Sequence, residues 1–372
     1  MRIERAMVLS LGVLLGCSGA SSTPASDSGK EKEGSNEGGE EGGMVPFPEG
    51  GAEATTPDGG DEGAPPEGGS DTAAALDGGG ADAADAALEG GGVALAQGQS
   101  SPLGIAVDST SVYWTDNASG KVLKIAKTGG AITTLASGGS SPDRIAVDST
   151  SVYWTNSTNS GGTVLKTSTA GGTITTLASG QTLPDAIALD DATVYWTDNN
   201  TQGAVLSVPK IGGTITTLAT GQDDPWSIAV TPTNVYWTNY KGIVDGYEGE
   251  VMTVLLGTGT VTTLATGQSF PVGVGVESAN LYWAEDVVGT TMTSLLDGGA
   301  PSTLASINGA TSMAVDSTGV YVAGGGAVVH VSLDGGTPVT LATSPSPTGI
   351  AVDPTNVYWT DSASGIVAVI SK

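Results

Sequence analysis

The sequence has little of the chemistry on which most enzymes depend. Its 372 residues include a single cysteine, a single histidine and two phenylalanines. Catalysis needs a base or nucleophile tuned by its neighbours, and we find no Ser/His/Asp arrangement, phosphate-cradling glycine loop or Cys/His zinc spacing. We therefore predict no catalytic residues, no cofactor and no metal site, although paired carboxylates alone would suffice for glycoside hydrolysis.

Basic residues are also scarce. Lysine and arginine number 12 against 39 acidic residues, which gives a formal net charge of −27. Residues 90–372 alone hold 21 acidic and eight basic residues. Phosphate backbones and anionic lipid surfaces attract positive charge, so the sequence argues against nucleic acid or anionic lipid as a partner.

The first 17 residues have the pattern of a secretion signal. Arg2 and Arg5 precede a short apolar stretch, and Leu14-Leu15-Gly16-Cys17 resembles the bacterial lipobox, in which the cysteine receives a lipid after cleavage. We predict lipidation of Cys17 and a lipid-anchored protein of the cell envelope, at the outer membrane or the extracellular surface. An ordinary signal peptide with an incidental cysteine is the alternative.

Residues 18–89 have the composition of a disordered tether. They consist mainly of Gly, Ser, Pro, Ala and acidic residues, with 17 acidic residues, two lysines and Phe47 as the only aromatic residue. Such a segment buries too little apolar surface to order itself. A flexible chain of this length spans roughly 45 to 50 Å, enough to hold a domain clear of a membrane.

A four-part unit recurs seven times after residue 90. Its marker tyrosines are separated by 40, 42, 41, 46, 39 and 37 residues, and they are Tyr113, Tyr153, Tyr195, Tyr236, Tyr282, Tyr321 and Tyr358. Each unit reads as four short β-branched runs separated by turn residues, which is typical of one propeller blade. Asp-Ser-Thr-Ser or a variant forms the first link and Gly-Gly the third, as tight turns require.

The link lengths predict which connections vary and how the ring closes. The second-to-third link ranges from seven to fifteen residues between equivalent positions, whereas the third-to-fourth distance is thirteen in all six complete copies. The last unit lacks a fourth run, and the segment around Leu95 has the spacing to supply it beside Val367. We therefore predict an all-β, seven-bladed propeller over residues 90–372, monomeric, with an N-terminal strand closing the last blade.

Three units contain the word Tyr-Trp-Thr-Asp after an Ala-Val-Asp or Ala-Leu-Asp run, at Tyr113–Asp116, Tyr195–Asp198 and Tyr358–Asp361. They resemble the YWTD repeats of low-density lipoprotein receptor class B. The resemblance implies a propeller that binds proteins. This sequence has seven units where that family has six, its sixth unit lacks the word, and no cysteine-rich module follows.

Residues that recur in most units are interpreted as requirements of the blade. The six tryptophans of the repeat are predicted to fill the gaps between blades, and the acidic or amide residue two positions later is predicted to begin a turn. His330 occupies a position that is polar but variable in other units, which favours an exposed side chain without a role.

The longest second-to-third link, in unit four, is the predicted binding site. Aromatic residues on loops of a rigid scaffold are common at binding surfaces, and the neighbouring units add more of them on the same face. Asp143 and Asp185, at the starts of strands near the axis, are weaker candidates. The predicted partner-binding residues are Asp223, Asp224, Trp226, Tyr240, Asp245, Tyr247, Glu248 and Phe270.

The leading hypothesis is therefore a tethered propeller that binds a protein or another ligand through this face. One alternative is a carboxylate-dependent enzyme acting on glycan through Asp245, Glu248 and Glu250, and another is a glycan-binding propeller without chemistry. The long link could also be an insertion whose aromatic residues pack only on one another.

Overall fold

The computed structural model describes residues 90–241 and 248–372, and every regular element within them is a β-strand. The predicted signal segment, the tether and Cys17 lie outside the described residues, as do Asp245 and Tyr247. In chain order the strands are β1 (Val93–Ala96), β2 (Pro102–Val107), β3 (Ser111–Asp116), β4 (Lys121–Ala126), β5 (Thr133–Ala136), β6 (Pro142–Val147), β7 (Ser151–Asn156), β8 (Gly162–Ser168), β9 (Thr175–Gln181), β10 (Pro184–Leu189), β11 (Thr193–Asp198), β12 (Gly203–Pro209), β13 (Thr216–Gln222), β14 (Pro225–Val230), β15 (Asn234–Asn239), β16 (Gly249–Leu255), β17 (Thr260–Gln268), β18 (Pro271–Glu277), β19 (Asn280–Glu285), β20 (Thr290–Leu295), β21 (Ser302–Ser306), β22 (Ala310–Asp316), β23 (Gly319–Gly324), β24 (Ala327–Val331), β25 (Val339–Thr343), β26 (Pro347–Val352), β27 (Asn356–Asp361) and β28 (Ile366–Ser371).

These strands form seven four-stranded antiparallel sheets, one for each repeat. Blades 1 to 6 each consist of four consecutive strands, starting at β2, β6, β10, β14, β18 and β22, and blade 7 consists of β26, β27, β28 and β1. First strands of successive blades contact one another around the ring, and β26 contacts β2. The prediction of an all-β, seven-bladed propeller is confirmed.

The ring closes as the sequence predicts. β1 runs antiparallel to β28, with Val93 opposite Val369 and Ala94 opposite Ala368. Leu95 is 6% exposed and packs with Trp114 of blade 1 and Val367 of blade 7. Because β1 covers the free edge of β28, the seam joins both ends of the described chain through backbone hydrogen bonds and apolar packing.

The core lies between the blades. In β3, Val112, Tyr113, Trp114 and Thr115 are each at most 1% exposed, since the second strand of a blade has a neighbouring sheet on both faces. Trp114 packs toward blade 7, whereas Tyr113 packs toward blade 2 beside Trp154. The prediction that the tryptophans fill the gaps between blades is confirmed.

The links alternate between the two faces of the disc. The second-to-third links and the links between blades lie together, because the amide N–H of Asn117 donates to the carbonyl of Ser101 and that of Gln99 to the carbonyl of Gly365. We call this side face A. The opposite side, face B, carries the first-to-second and third-to-fourth links.

Face B is held together by the turns that the aspartates begin. The carboxylate of Asp353 accepts hydrogen bonds from the Thr355 N–H at 2.8 Å, from the Tyr358 hydroxyl at 2.8 Å and from the Lys127 ammonium of blade 1 at 2.6 Å. Burial opposes ionisation, but these donors hold the pKa of Asp353 well below its usual range. The bridge from Lys127 therefore links blade 1 to blade 7 across the seam.

The His330 side chain makes contacts that its position in the sequence does not suggest. It is half-buried, its ring lies 4.9 Å from that of Tyr321 between centroids, and its Nε2 is 3.2 Å from the carbonyl oxygen of Thr318. The prediction of an exposed side chain is wrong, because the third strand of blade 6 presses the imidazole onto the neighbouring tyrosine.

Candidate functional site

Three of the predicted residues form an aromatic stack on face A. Trp226 is the second residue of β14, Tyr240 begins the long link after β15, and Phe270 directly precedes β18. The rings of Trp226 and Tyr240 are stacked with centroids 5.1 Å apart, and those of Tyr240 and Phe270 lie 4.5 Å apart. The structure thus brings together side chains from blades 4 and 5.

Backbone geometry sets the position of the stack. Asp224 and Phe270 each precede the proline that begins a first strand, and both adopt left-handed φ angles, of +50° and +53°. The Tyr240 N–H donates to the carbonyl of Asp224 at 2.9 Å, and the Asp286 N–H donates to that of Phe270 at 3.1 Å. Each second-to-third link is therefore tied to the turn that enters its own blade.

The predicted residues differ in their access to solvent. Phe270 is 3% exposed and Asp224 is 6% exposed, so these two support the surface from below. Trp226 and Tyr240 are half-buried and reach the surface. The Trp226 indole nitrogen is buried and has no hydrogen-bond partner among the described residues, although an indole N–H usually finds one.

The structure adds two residues that the sequence analysis missed. Val287 and Val288, in the second-to-third link of blade 5, are 59% and 60% exposed. They follow Asp286, whose amide is bonded to Phe270, and burial raises the pKa of the Asp286 carboxyl above its ordinary value. The sequence did contain a signal for them, because the turn geometry of this link does not require two adjacent valines. We call Trp226, Tyr240, Val287 and Val288 the aromatic patch.

A polar groove of about 300 Å³ lies at the other side of the long link, between blades 3 and 4. Asp223 lines this groove, and the Lys241 ammonium is 3.2 Å from the Glu250 carboxylate. Glu248 is exposed. Glu250, one of the carboxylates of the glycan-active alternative, is therefore ion-paired with Lys241.

Asp143 and Asp185 lie at the same strand position as Trp226, in blades 2 and 3. They are 6% and 2% exposed, and the Arg144 Nε lies 3.9 Å and 3.5 Å from their carboxylates. Burial disfavours the charged guanidinium, but the two carboxylates outweigh it and raise the pKa of Arg144. The Asn199 amide donates to Asp185 at 2.9 Å, so this group is an internally paired cluster.

The described residues lack two features that would define other kinds of site. No group of three or more His, Cys, Asp or Glu side chains there is arranged to hold a metal ion. Within the same ranges, no helix has the length and apolar character needed to cross a membrane.

The fold and the patch define a seven-bladed propeller with an irregular face A. No family model and no curated protein sequence matches the chain. A virginiamycin B lyase from Staphylococcus aureus has a similar structure, with a TM-score of 0.62 and 14% identity over 76% of this chain and 98% of that chain. A gluconolactonase from Xanthomonas campestris has a TM-score of 0.52 and 13% identity, over 77% and 92% of the two chains.

The nidogen/laminin complex also contains a chain that aligns with this one. It has a TM-score of 0.45 and 21% identity over 53% of this chain and 77% of that chain. At these identities the solved structures show the propeller fold alone, and two of them are named as enzymes of different activity. The resemblance to the YWTD family stays a prediction.

Proposed function

We propose that this propeller is a non-catalytic binding module, and that a partner protein docks on face A at blades 4 and 5. The single observation that carries the proposal is the aromatic patch. It combines two half-buried rings, two exposed valines and a buried indole N–H that has no partner among the described residues. Aromatic anchors in a well-packed setting supply most of the binding energy at protein interfaces.

The composition of the patch favours a protein over a glycan. Sugar rings stack on open aromatic faces beside polar groups, whereas here Tyr240 is stacked on Trp226 and the exposed residues of the blade 5 link are valines. The resemblance to YWTD repeats, whose propellers bind proteins, agrees with this proposal.

Site-specific crosslinking tests the proposed face. A photoreactive amino acid at Val288 should give a covalent adduct with one envelope protein, identified by mass spectrometry. Trp226→Ala or Tyr240→Ala should reduce that adduct by about tenfold, as loss of an interface anchor would. A matched probe at Ile211, which is 93% exposed on face B, should give no such adduct.

Equal adducts from Val288 and Ile211, or adducts unaffected by the two alanine variants, would contradict the proposed face. The absence of catalysis is tested separately. The chain should give no turnover on a panel of polysaccharides, and hydrolysis that disappears in Glu250→Gln would favour the glycan-active alternative.

We further propose that Cys17 carries the lipid that anchors the propeller to the bacterial envelope. The support is the lipobox-like Leu14-Leu15-Gly16-Cys17 and the absence of any other cysteine in the chain. Growth with an alkyne-bearing fatty acid should label the wild-type protein but not Cys17→Ala, which should move to the soluble fraction. Equal labelling of both proteins would exclude lipidation at this residue.

A further inference from the structure

Five of the six repeat tryptophans share one hydrogen-bond pattern. The indole Nε1 donates to the side chain of the residue fifteen positions earlier, which lies at the end of the fourth strand of the preceding blade or in the link that follows it. The pairs and distances are Trp114–Gln99 at 3.1 Å, Trp196–Gln181 at 3.2 Å, Trp237–Gln222 at 2.9 Å, Trp283–Gln268 at 2.8 Å and Trp359–Ser344 at 3.0 Å.

In blade 6 both of these positions are occupied by apolar residues. It has Val322 in place of the tryptophan, and the residue fifteen positions earlier is Ile307, which packs in the same core cluster. The two positions therefore match in polarity in these six blades.

Blade 2 breaks the pattern, because Trp154 faces Gly139. The backbone is not the reason for the glycine. Gly138 has φ of +75°, close to the +72° and +66° of Gly180 and Gly221, which precede Gln181 and Gln222. Gly139 itself has no left-handed φ, and a Cβ there would come no closer than 3.3 Å to any atom, the nearest being the Asn156 amide oxygen. A glutamine would need the Asn156 amide to shift by a few tenths of an ångström, and its side chain is missing here.

A cavity of about 270 Å³ lies next to Gly139 on face A, between blades 1 and 2. Trp154 and Asn156 line the cavity, together with apolar residues that include Leu165 and Ile174. The Asn156 side chain is 8% exposed, as is expected of a residue that lines a cavity. The Trp154 indole N–H makes no hydrogen bond among the described residues.

The filled blades show which group the cavity would accept. In blade 4 the Gln222 carboxamide oxygen accepts from the Trp237 indole at 2.9 Å and from the Asn239 amide at 3.1 Å. Its NH₂ group donates to the carbonyl of Thr220 at 3.0 Å. The equivalent groups in blade 2 are Trp154, Asn156 and the carbonyl of Ser137, and all three residues line the cavity.

We infer that the cavity beside Trp154 binds a primary carboxamide from outside the chain, namely a glutamine side chain of a bound polypeptide. Its oxygen would accept from the Trp154 indole and the Asn156 amide, and its NH₂ group would donate to Ser137. The cavity is smaller than the roughly 300–1,000 Å³ of ordinary ligand sites, which suits one side chain better than a whole metabolite. This site is separate from the aromatic patch and does not depend on it.

Titration with small probes tests the inference. The full chain is titrated with N-acetyl-L-glutamine methylamide while the Trp154 indole N–H resonance, assigned by its loss in Trp154→Phe, is followed by NMR. We expect a saturable shift of this resonance. The glutamate and methionine analogues should bind at least about tenfold more weakly, because a carboxylate cannot donate to Ser137 and a thioether cannot reproduce the amide bonds.

Gly139→Gln provides the decisive variant. Its own carboxamide should occupy the cavity, abolish probe binding and move the Trp154 resonance toward those of the glutamine-paired tryptophans. Gly139→Ala is the matched control and should keep binding, since the added Cβ leaves most of the cavity open. Asn156→Leu should weaken binding without filling the cavity.

Three results would overturn the inference. The first is a Trp154 resonance unaffected by the glutamine probe at saturating concentration, which would mean that the cavity holds water only. The second is equal affinity for the glutamine and methionine analogues. The third is probe binding that persists undiminished in Gly139→Gln.

Discussion

At the scale of single residues, the aspartate of the Tyr-Trp-Thr-Asp word has different hydrogen-bond partners in different blades. The Asp116 carboxylate accepts hydrogen bonds from the amides of Ser100 and Ser101 at 3.0 and 2.7 Å. Asp198 is its counterpart in blade 3, where one carboxylate oxygen accepts the Thr182 amide at 3.2 Å and the other is buried without a partner among the described residues. The ionised side chain therefore stabilises blade 1 at Asp116, whereas its burial at Asp198 destabilises blade 3.

Replacing Asp198 should stabilise the propeller at neutral pH. Burial raises the pKa of Asp198 to about 6, against an unfolded value of 3.8, so the folded state favours the protonated form. The stability that Asp198 contributes is complete below pH 3.8 and is lost as the pH rises through about 6. We expect Asp198→Asn to raise the free energy of unfolding by about 1 kcal/mol at pH 7.5 and to leave it unchanged near pH 4.

The measurement is urea unfolding of both proteins at the two pH values. Asp116→Asn is the matched control, and it should lower the free energy of unfolding at pH 7.5 by about 1 to 2 kcal/mol, because two amides lose a charged acceptor. A gain from Asp198→Asn that is the same at both pH values would show that the carboxyl does not titrate as described.

At the scale of strands and links, the repeat spacing was enough to predict the ring and its closure. A period of about forty residues with four β-branched runs admits few folds, and the distance from Leu95 to Ile105 matched the other copies. The spacing could not reveal that Phe270 is buried, because its left-handed backbone turns the side chain inward. Nor could it show that Val287 and Val288 are exposed, since that depends on which links meet in space.

The contribution of β1 can be tested by two deletions. Removing residues 18–89 should leave the thermal midpoint unchanged, because this segment is predicted to be a disordered tether. Removing residues 18–97 also deletes β1, which exposes the edge of β28 and takes Leu95 away from Trp114. The shorter protein should unfold at a markedly lower temperature and aggregate, as strands with open edges do.

Thermal unfolding followed by circular dichroism, with size-exclusion chromatography for aggregation, checks both deletions. Leu95→Ala gives an intermediate case and should cost about 2 to 4 kcal/mol. Equal midpoints for the two deletions would mean that blade 7 is stable with three strands.

At the scale of the whole molecule, the seven blades share one plan and differ in few places. Blade 2 lacks the glutamine opposite Trp154, blade 4 has the longest link, and blade 5 exposes Val287 and Val288. All three departures lie on face A, whereas face B carries bridges such as Lys127 to Asp353. Regular positions of a repeat satisfy the fold, so these three departures are where we propose binding.

A closed ring built from equivalent blades should tolerate new chain ends. The third-to-fourth strand distance is thirteen residues in the complete copies, and joining Lys372 to Gly90 through Gly-Gly would reproduce it between Val367 and Leu95. New ends placed between Gly129 and Gly130, in the face B hairpin of blade 1, interrupt no strand. We expect this circular permutant to fold as a monomer with a thermal midpoint within about 5 °C of that of residues 90–372. If the permutant fails to fold while residues 90–372 with their original ends fold normally, Lys372 and Gly90 do not meet on one edge of blade 7.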